Sequence, residues 1–461
     1  MTGFVGALRQ SLGDAAVLTG ASMASYLTEW RGNYDSDAIA IALPGSTQDV
    51  VSIVRAAAEH GVSLVPQGGN TGLVGGAVAT DTQCIVNLQR MNTVHHVDAQ
   101  NFSMHVDAGC TLAQVRNEAA AANRLFALDV TSAGSCQIGG NVSTNAGGVN
   151  VLRYGCAREQ VLGLEVVTAD GRVLQLGRAL RKNTAGYDLK QLFIGAEGTL
   201  GIITAVHLKL FSRPPCATVL WLTTLDAANA VSLYSELREQ LGDDISAFEL
   251  IPEIALQFVT THMPDARRPV THAGQHVLIE LHGVEPDAPR LQGLLGAALQ
   301  RGDLRDAVVA SDARQTQALW SLRHHISDAQ RYEGVSIKHD IAVPISSLST
   351  FITSTERAVA EEVPGIRPVV FGHVGDGNLH FNCSQPTSMS AAAFRRRATA
   401  ISHVIHSAAI ACGGTVSAEH GIGIHKRDWM RKQVGSDAYE MMCIVKRALD
   451  PNNMLNPGKV L

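Results

Sequence analysis

Three glycine-rich segments in the first half of the chain constrain its fold more than any other feature. Each follows an apparent strand, and consecutive glycines let backbone N–H groups approach a bound anion closely. Serine and asparagine side chains in the second segment can also bond to phosphate or ribose oxygens. One such segment is usually only a turn, but three together indicate a nucleotide-binding site. The segments are PQGGNTGLVGG (66–76), SAGSCQIGGNVSTNAGG (132–148) and GAEGTLGII (195–203).

The common nucleotide-binding motifs are absent from this half. No G-x-G-x-x-G follows the first strand, and no G-x-x-x-x-G-K-[ST] occurs anywhere, which argues against a Rossmann domain and a P-loop. Residues 37–66 predict a strand, a helix that begins after Ser46, and a second strand. Antiparallel hairpins are predicted at 94–109 and 162–177, the latter with an Asp-Gly turn. We therefore expect an α+β domain.

The second half begins with a change of pattern at FSRPPC (211–216), which we interpret as a domain boundary. The runs that follow predict strand, helix, strand, strand, helix and strand, the βαββαβ order of a ferredoxin-like domain. The predicted domains are an N-terminal helical segment (1–36), a nucleotide-binding domain (37–212) and a substrate and metal domain (213–461). The predicted elements are strand 217–223, helix 225–240, strand 245–251, strand 276–283, helix 286–301 and strand 306–311.

The segment GHVGDGNLHFN (372–382) carries a histidine near each end of a tight turn. If Asp376-Gly377 are the central residues of a two-residue hairpin, then His373 lies opposite His380, with Cβ atoms roughly 5 Å apart. Asn382 then points to the same face as His380, because strands alternate with period two. The alternative is a surface hairpin whose histidines are incidental, and this segment alone does not decide between the two.

A carboxylate and another histidine occur in SAEHGIG (417–423), after a helix that ends at two glycines. Two imidazoles and one carboxylate form a three-ligand set that leaves positions open for substrate, as in catalytic zinc sites. We therefore expect His373, His380 and Glu419 to bind a divalent cation, with His420 not coordinated. Taken alone, Glu419 and His420 are more typical of a solvated loop pair.

Charge and composition exclude several classes of protein. The formal net charge is −5 without a block of like charges, which argues against binding to nucleic acid or a membrane surface. No apolar run approaches the 18 or more residues that span a bilayer, and the N-terminus lacks the pattern of a secretory signal. The eight cysteines are scattered without a C-x-x-C pair, as is typical of reduced thiols in a cytoplasmic protein.

The three glycine-rich segments resemble the flavin-binding segments of the vanillyl-alcohol oxidase type, also called the PCMH-type FAD domain, over residues 37–212. The remainder resembles the C-terminal domain of FAD-linked oxidases. Some relatives attach the flavin to a histidine in the first segment, where this chain has Asn70 and Thr71, so we expect non-covalent FAD.

The resemblance also implies which residues contact FAD. The implied pyrophosphate contacts are Pro66, Gly68, Gly69, Asn70, Thr71, Gly72 and Leu73. The contacts with the middle of FAD are Ser132, Gly134, Gly139, Asn141 and Asn145. The adenine-side contacts are Glu197, Gly198 and Ile203, while Asn456, in a tail (417–461) that returns to the flavin, contacts the flavin itself.

A flavin, a cation and an uncoordinated histidine suit a 2-hydroxy acid as the hydride donor. The cation can chelate the α-hydroxyl and the carboxylate and lower the pKa of that hydroxyl. His420 is the expected base for the hydroxyl proton, and the alternative is a hydrogen-bonding histidine outside the first coordination sphere. The α-hydrogen leaves as hydride to flavin N5.

Four polar residues of the second half bear on the size of the substrate. Arg323 and Ser327 are four apart, on one face if the segment is helical, and Arg323 and Lys338 suit carboxylate binding. As an alternative, these are ordinary surface charges. With Asn382 they resemble the pocket for the distal carboxylate in members of the family that oxidise D-2-hydroxyglutarate, which carry threonine where this chain has Ser327. Members that oxidise D-lactate or glycolate usually lack equivalents of Lys338 and Asn382.

The resemblance thus implies an FAD-dependent and metal-dependent dehydrogenase that converts D-2-hydroxyglutarate to 2-oxoglutarate. Zinc is the expected metal, and manganese and cobalt are alternatives. D-lactate or glycolate is the alternative substrate, and a metal-dependent hydrolase or a non-catalytic nucleotide-binding protein is the alternative class. The reduced flavin would pass electrons to an external acceptor such as an electron-transfer flavoprotein, a quinone or a cytochrome. The sequence is compatible with a homodimer.

Overall fold

The computed structural model describes residues 2–29, 32 and 34–461, so residues 1, 30, 31 and 33 of the predicted N-terminal segment lie outside the described residues. The chain divides into two compact units. The first unit comprises Met1–Gly148, Tyr154–Arg213 and Glu419–Leu461, and the second comprises Val149–Arg153 and Pro214–Ala418. The chain leaves the first unit after Arg213, next to the boundary that the sequence predicts at 212/213.

The elements are named in chain order. As far as Ser212 the helices are α1 (Thr2–Leu12), α2 (Ala24–Leu27), α3 (Thr47–His60), α4 (Leu112–Ala121), α5 (Ile138–Ser143), α6 (Val151–Tyr154), α7 (Ala157–Gln160) and α8 (Lys190–Phe193). The strands are β1 (Val17–Leu18), β2 (Ala40–Ala42), β3 (Ser63–Gln67), β4 (Gln83–Asn87), β5 (Val94–Asp98), β6 (Ser103–Asp107), β7 (Arg124–Leu125), β8 (Val161–Val167), β9 (Val173–Gly177), β10 (Ile202–Lys209) and β11 (Phe211–Ser212).

After Ser212 the strands are β12 (Ala217–Thr224), β13 (Ile245–Pro252), β14 (Gln275–His282), β15 (Asp306–Val309), β16 (Ser336–Ile337), β17 (Asp340–Ala342), β18 (Arg367–His373) and β19 (Asn378–Ser384). The helices are α9 (Ala227–Leu241), α10 (Glu253–His262), α11 (Pro289–Arg301), α12 (Ala313–His324), α13 (Ile326–Tyr332), α14 (Leu348–Glu362), α15 (Ala391–Arg395), α16 (Ala398–Ala411), α17 (Met430–Val434) and α18 (Ser436–Leu449). Short 3-10 helices lie at Asp14–Ala16, Gly20–Met23, Gly242–Asp244, Ile345–Ser347, Val374–Asp376 and Arg427–Trp429.

Two sheets form the framework of the first unit. One has the order β1-β2-β4-β3, in which β2, β4 and β3 run parallel, and the other is the antiparallel sheet β5-β6-β10-β8-β9. Helix α3 connects β2 to β3: Ser46 caps it by accepting a hydrogen bond from the Asp49 N–H, and Gly61 ends it at a φ of 64°. The first glycine-rich segment begins within β3, so the parallel sheet fixes its starting point.

The second unit is built on the sheet order β15-β12-β14-β13, all antiparallel. Helices α9 and α11 follow β12 and β14 and pack with them in one hydrophobic core. The predicted βαββαβ order and the α+β class are therefore confirmed. The sequence analysis missed α10, which packs with α12 and α13 in a second core that contains Trp221.

Strands β18 and β19, the arms of the histidine hairpin, extend this sheet beyond β13, and both β16 and β17 pair with β19. The hairpin is thus joined to the ferredoxin-like core by the pairing of β13 with β18. Among the described helices, none is long and apolar enough to cross a bilayer.

Candidate functional site

The three glycine-rich segments lie next to one another in the first unit. A Cβ atom added to Gly69 would lie 1.9 Å from the carbonyl oxygen of Ser135, so the first segment touches the second. A Cβ added to Gly198 would lie 3.0 Å from Cγ of Pro66, so the third segment touches the first. These contacts require a glycine at position 69, and they join the three segments into one continuous surface.

The tail of the chain is fastened to the same surface. The side-chain amide of Asn456 donates hydrogen bonds to the carbonyl oxygens of Gly76 (3.0 Å) and Glu197 (2.7 Å). The carboxylate of Glu197 accepts hydrogen bonds from the backbone N–H groups of Ile422 (2.6 Å) and Gly423 (2.9 Å). Burial raises the pKa of this carboxyl, although both N–H bonds oppose the shift. The Glu197 carboxylate therefore orders the segment next to His420, and its predicted contact with adenine stays a prediction.

Several residues of this surface have features that a bound ligand would explain better than the protein's own packing does. The Oδ1 atoms of Asn141 and Asn456 are buried and have no hydrogen-bond partner among the described residues. Buried polar atoms normally have such a partner, and the hydroxyl and N–H groups of FAD could donate to both. A Cβ on Gly72 or Gly134 would meet no atom within 4 Å, so packing does not demand glycine at either position. The surface fits FAD in both respects.

Other predicted flavin contacts have a structural use as well. The side-chain amide of Asn70 donates to the carbonyl oxygen of Thr28 (2.9 Å), and Oδ1 of Asn145 accepts from the backbone N–H of Arg158 (2.9 Å). Ile203 is buried within β10 in the core of the unit. The roles of these residues toward FAD stay predictions. The remaining predicted contacts lie in the same segments: Gly68, Thr71, Leu73, Ser132 and Gly139.

The predicted turn of the histidine hairpin is wrong. His380 pairs with Phe371 and not with His373, because residues 374–377 form a longer turn with a 3-10 helix and Gly377 at a φ of 80°. The register is thus shifted by two residues. Because side chains alternate along a strand, a shift of two keeps His373 and His380 on one face as diagonal neighbours.

The spacing of the two imidazoles suits a shared ion. Their ring centres are 5.7 Å apart at an interplanar angle of 74°. Two imidazoles that bind one tetrahedral zinc ion with Zn–N distances of about 2.0–2.1 Å have ring centres roughly 5 Å apart. His373 is buried and His380 is half-buried. The distance between the ring centres is therefore near that of two zinc-bound imidazoles, although the described group of ligand atoms within 4.8 Å of one another includes His380 and not His373.

A buried carboxylate that the sequence analysis missed connects two of the predicted functional residues. Glu249, on β13, is 0% exposed. It accepts one hydrogen bond from Nδ1 of His373 and another, of 2.6 Å, from Nε of Arg323. Burial alone would raise the pKa of Glu249, but His373 and Arg323 outweigh it and hold the pKa at about 2. A single acid within the apolar run ISAFELIP was the signal available in the sequence.

Asp340 is a second carboxylate that the sequence analysis missed. It pairs with His380 across β17 and β19, and a carboxylate oxygen of Asp340 lies within 4.8 Å of a ring nitrogen of His380. Asp340 is buried, and one of its oxygens accepts a hydrogen bond from the Asn378 side chain (3.0 Å). It is therefore a further candidate ligand beside His380.

The four predicted substrate residues all belong to the second unit. Arg323 is near the end of α12, and Ser327 lies in α13. The two residues therefore do not share the single helix that would place them on one face, because the helix is interrupted at His325. Lys338, between β16 and β17, is half-buried. Asn382 is buried and donates to the side-chain oxygen of Gln330 (2.8 Å). Gln330, which the sequence analysis missed, thus orients Asn382.

Glu419 and His420 belong to the first unit and are half-buried. The Glu419 carboxylate accepts a hydrogen bond from the backbone N–H of Gly148 (2.6 Å), at the end of the second glycine-rich segment. Each of the two residues offers a ligand atom within 4.8 Å of the other. A carboxylate and an imidazole are therefore held together beside the glycine-rich surface.

Two family models match the chain. The model described as FAD binding domain matches residues 38–177, and the model described as FAD linked oxidases, C-terminal domain, matches residues 213–460. The second match alone covers more than half of the 461 residues.

Full-length relatives agree with these matches. A D-2-hydroxyglutarate dehydrogenase from Xanthomonas citri pv. viticola is 36% identical over 441 residues, 95% of this chain and 93% of the relative. A mitochondrial D-2-hydroxyglutarate dehydrogenase from Danio rerio is 36% identical over 435 residues, 94% of this chain and 80% of the relative. A solved structure of p-cresol methylhydroxylase with substrate bound superposes with a TM-score of 0.79 at 16% identity, covering 99% of this chain and 96% of that one. This last likeness concerns the fold.

Proposed function

The chain belongs to the family of FAD-linked oxidases, and we propose on that premise that it oxidises D-2-hydroxyglutarate to 2-oxoglutarate. Relatives named for this activity are similar along almost the whole chain. The observation that carries the choice of substrate is the presence of Arg323, Lys338 and Asn382 in the unit that holds the paired histidines. A 2-hydroxy dicarboxylate has a second carboxylate that requires such donors, whereas D-lactate has a methyl group instead.

FAD is held without a covalent bond on the glycine-rich surface of the first unit. The unpartnered Oδ1 atoms of Asn141 and Asn456 support this assignment, as does the absence of histidine at positions 70 and 71. We assign the divalent cation to His373 and His380, a donor set that suits zinc and also manganese or cobalt. Glu419 is the third ligand predicted from the sequence, and Asp340 is a further candidate. Because Glu419 belongs to the other unit, its role as a ligand is tested separately, by hydrogen exchange at 417–423.

When bound, FAD supplies a hydride acceptor at N5, and the cation supplies a Lewis acid for the α-hydroxyl. His420 accepts the hydroxyl proton as the α-hydrogen leaves, so that the C–O bond becomes a carbonyl and 2-oxoglutarate is formed. Arg323 and Lys338 bind the distal carboxylate, and Ser327 and Asn382 donate hydrogen bonds to it. Electron transfer to an external acceptor, a homodimeric state and a cytoplasmic location stay predictions.

Anaerobic reduction of the flavin tests the proposed reaction. D-2-hydroxyglutarate should bleach the yellow protein, D-lactate should do so far more slowly, and L-2-hydroxyglutarate should not. Bleaching that is faster with D-lactate would contradict the dicarboxylate assignment. If none of these acids bleaches the protein, the assignment of 2-hydroxy acids as its substrates would be contradicted.

Removal of the metal tests the assigned ligands. Dialysis against a chelator should abolish bleaching while the protein keeps its yellow colour, and Zn²⁺, Mn²⁺ or Co²⁺ should restore it. His380→Ala should behave like the chelated enzyme and should not respond to added metal, because a metal site loses affinity with each ligand removed. Ser349→Ala, at a half-buried position in the first turn of α14, is the control and should respond as the wild type does. Full bleaching by metal-free His380→Ala protein would exclude this site.

A further inference from the structure

We propose that Glu249 is a positioning residue that holds His373 ready for the metal and Arg323 ready for the substrate carboxylate. The inference rests on the proposed function, because it assigns a supporting role to a residue beside the proposed metal and substrate groups. It adds a prediction of its own: a single carboxylate controls metal affinity and substrate affinity together.

The position of Glu249 is costly for a carboxylate. It lies in an apolar strand between Phe248 and Leu250, and all three residues are buried. A buried charge is tolerated only when it is paired and hydrogen-bonded. An apolar residue at such a position is often at least as stabilising as the ion pair. Fold stability therefore does not explain this glutamate, whereas control of the orientation of its two partners does.

One carboxylate oxygen determines the tautomer of His373. Because Nδ1 of the imidazole donates to Glu249, the ring proton resides on Nδ1, and Nε2 carries the lone pair that coordination of a cation requires. Imidazoles that bind metals nearly always donate their other N–H to a carboxylate, carbonyl or water in this way. The pairing of Glu249 with His373 in adjacent strands β13 and β18 keeps the two side chains in contact.

The other oxygen determines the plane of the Arg323 guanidinium. Nε of Arg323 donates to Glu249, and the guanidinium carbon lies 4.7 Å from the centre of the Phe371 ring. The terminal nitrogens of Arg323 make no hydrogen bond to any other residue that the structure describes. A guanidinium held at Nε and against a ring offers those two nitrogens as a fork, which matches the geometry of a carboxylate.

A second group of the same composition in the same unit provides a matched control. Glu253 accepts hydrogen bonds from Arg268 (2.7 and 2.9 Å) and from Nε2 of His276 (2.9 Å). It too is a glutamate shared by an arginine and a histidine, but neither partner is a predicted ligand of metal or substrate. Loss of its charge removes the same kinds of contact without touching the proposed site.

The experiment compares Glu249→Gln with Glu253→Gln, both loaded with FAD and stripped of metal. Zn²⁺ affinity is measured by competition with a chromophoric chelator. Glu249→Gln should bind Zn²⁺ about 10–100-fold more weakly, the usual loss when a ligand's supporting carboxylate is removed. In the zinc-saturated enzyme its KM for D-2-hydroxyglutarate should rise about tenfold while kcat changes less, because one charge-assisted hydrogen bond to Arg323 is lost. Glu253→Gln should match the wild type in both measurements.

Unchanged Zn²⁺ affinity and KM in a folded, yellow Glu249→Gln protein would overturn the proposal. If that variant does not fold, the tautomer of His373 in the metal-free wild type tests the proposal instead. Nitrogen-15 spectra of its histidines, with His373 assigned by His373→Gln, should show the Nδ1-protonated tautomer, and the Nε2-protonated tautomer would overturn the proposal. Failure of the proposed function is recognised separately, since it appears as a wild type that neither binds Zn²⁺ nor is bleached by the acid.

Discussion

Lys338 is the residue whose proposed role most directly distinguishes a dicarboxylate from a monocarboxylate substrate. We expect Lys338→Met to lower kcat/KM for D-2-hydroxyglutarate by about 30-fold or more. Truncating one partner of a buried charge pair costs roughly 2–5 kcal/mol, and each 1.4 kcal/mol is about tenfold. Activity on D-lactate should change little, because its methyl group does not meet the charge. Steady-state rates with an artificial electron acceptor measure both.

Two further variants make this comparison interpretable. His420→Ala should damage turnover of both acids alike, since its proposed role is at the reacting carbon that the two share. Lys432→Met, on α17, removes a lysine that stacks on Trp429 and should leave both rates unchanged. Equal losses on the two acids in Lys338→Met would mean that Lys338 supports the fold, and the dicarboxylate assignment would lose its main support.

At the scale of helices and strands, the order of the elements could be predicted but their register could not. The βαββαβ order follows from apolar runs and turn residues that are local in the sequence, and β12 and β13 begin at the predicted residues 217 and 245. The register of the hairpin depends instead on β13, more than a hundred residues earlier, which pairs with β18 through Glu249 and His373. Local turn preferences favour an Asp-Gly turn and contain no information about that pairing.

The same reason explains which candidate residues were missed. Glu249, Asp340 and Gln330 are candidates because of partners that only folding brings near. These partners are His373, His380 and Asn382 respectively. The glycine-rich segments were easier to identify, because their residue types already indicate close backbone approach. The adjacency of these segments in the first unit agrees with that interpretation.

Gly377 allows a direct test of the hairpin turn. It has a φ of 80°, and a Cβ there would lie 2.1 Å from the carbonyl oxygen of Val343. Gly365 has a φ of 81°, but its Cβ would meet nothing closer than 3.6 Å. Gly365→Ala should therefore cost only the strain of a left-handed residue, about 1–2 kcal/mol. Gly377→Ala should cost roughly 1–3 kcal/mol more in the free energy of unfolding, because it also overpacks the turn.

Denaturant titration of both variants measures this difference. Equal destabilisation would mean that residues 374–377 do not form the turn described. Gly377→Ala should in addition weaken Zn²⁺ binding, because the displaced turn moves His373 and His380 apart, whereas Gly365→Ala should not.

At the scale of the whole molecule, the two units divide the proposed chemistry. All the predicted FAD contacts lie in the first unit, together with Glu419 and His420, and the histidine pair and the substrate residues lie in the second. The division does not follow the linear sequence. The family model for the C-terminal domain extends over residues 213–460, yet Glu419–Leu461 clusters with the first unit. Cofactor and metal should therefore stabilise different parts of one chain.

Hydrogen exchange should locate these two effects. A ligand stabilises the structure that binds it, by about 2.7 kcal/mol at 100 times its Kd, and local protection rises with local stability. Removal of FAD should speed exchange in 66–76, 132–148 and 195–203. Chelation of the metal should speed exchange in 371–382 and leave those glycine-rich segments protected. Residues 217–241, in the core of the second unit, are the internal reference for both treatments.

Faster exchange at 417–423 on chelation would support Glu419 as the third ligand, because the loop that carries a ligand is less restrained once the ion is removed. Chelation that affects the glycine-rich segments and not the hairpin would instead assign the metal to the first unit and exclude His373 and His380 as its ligands.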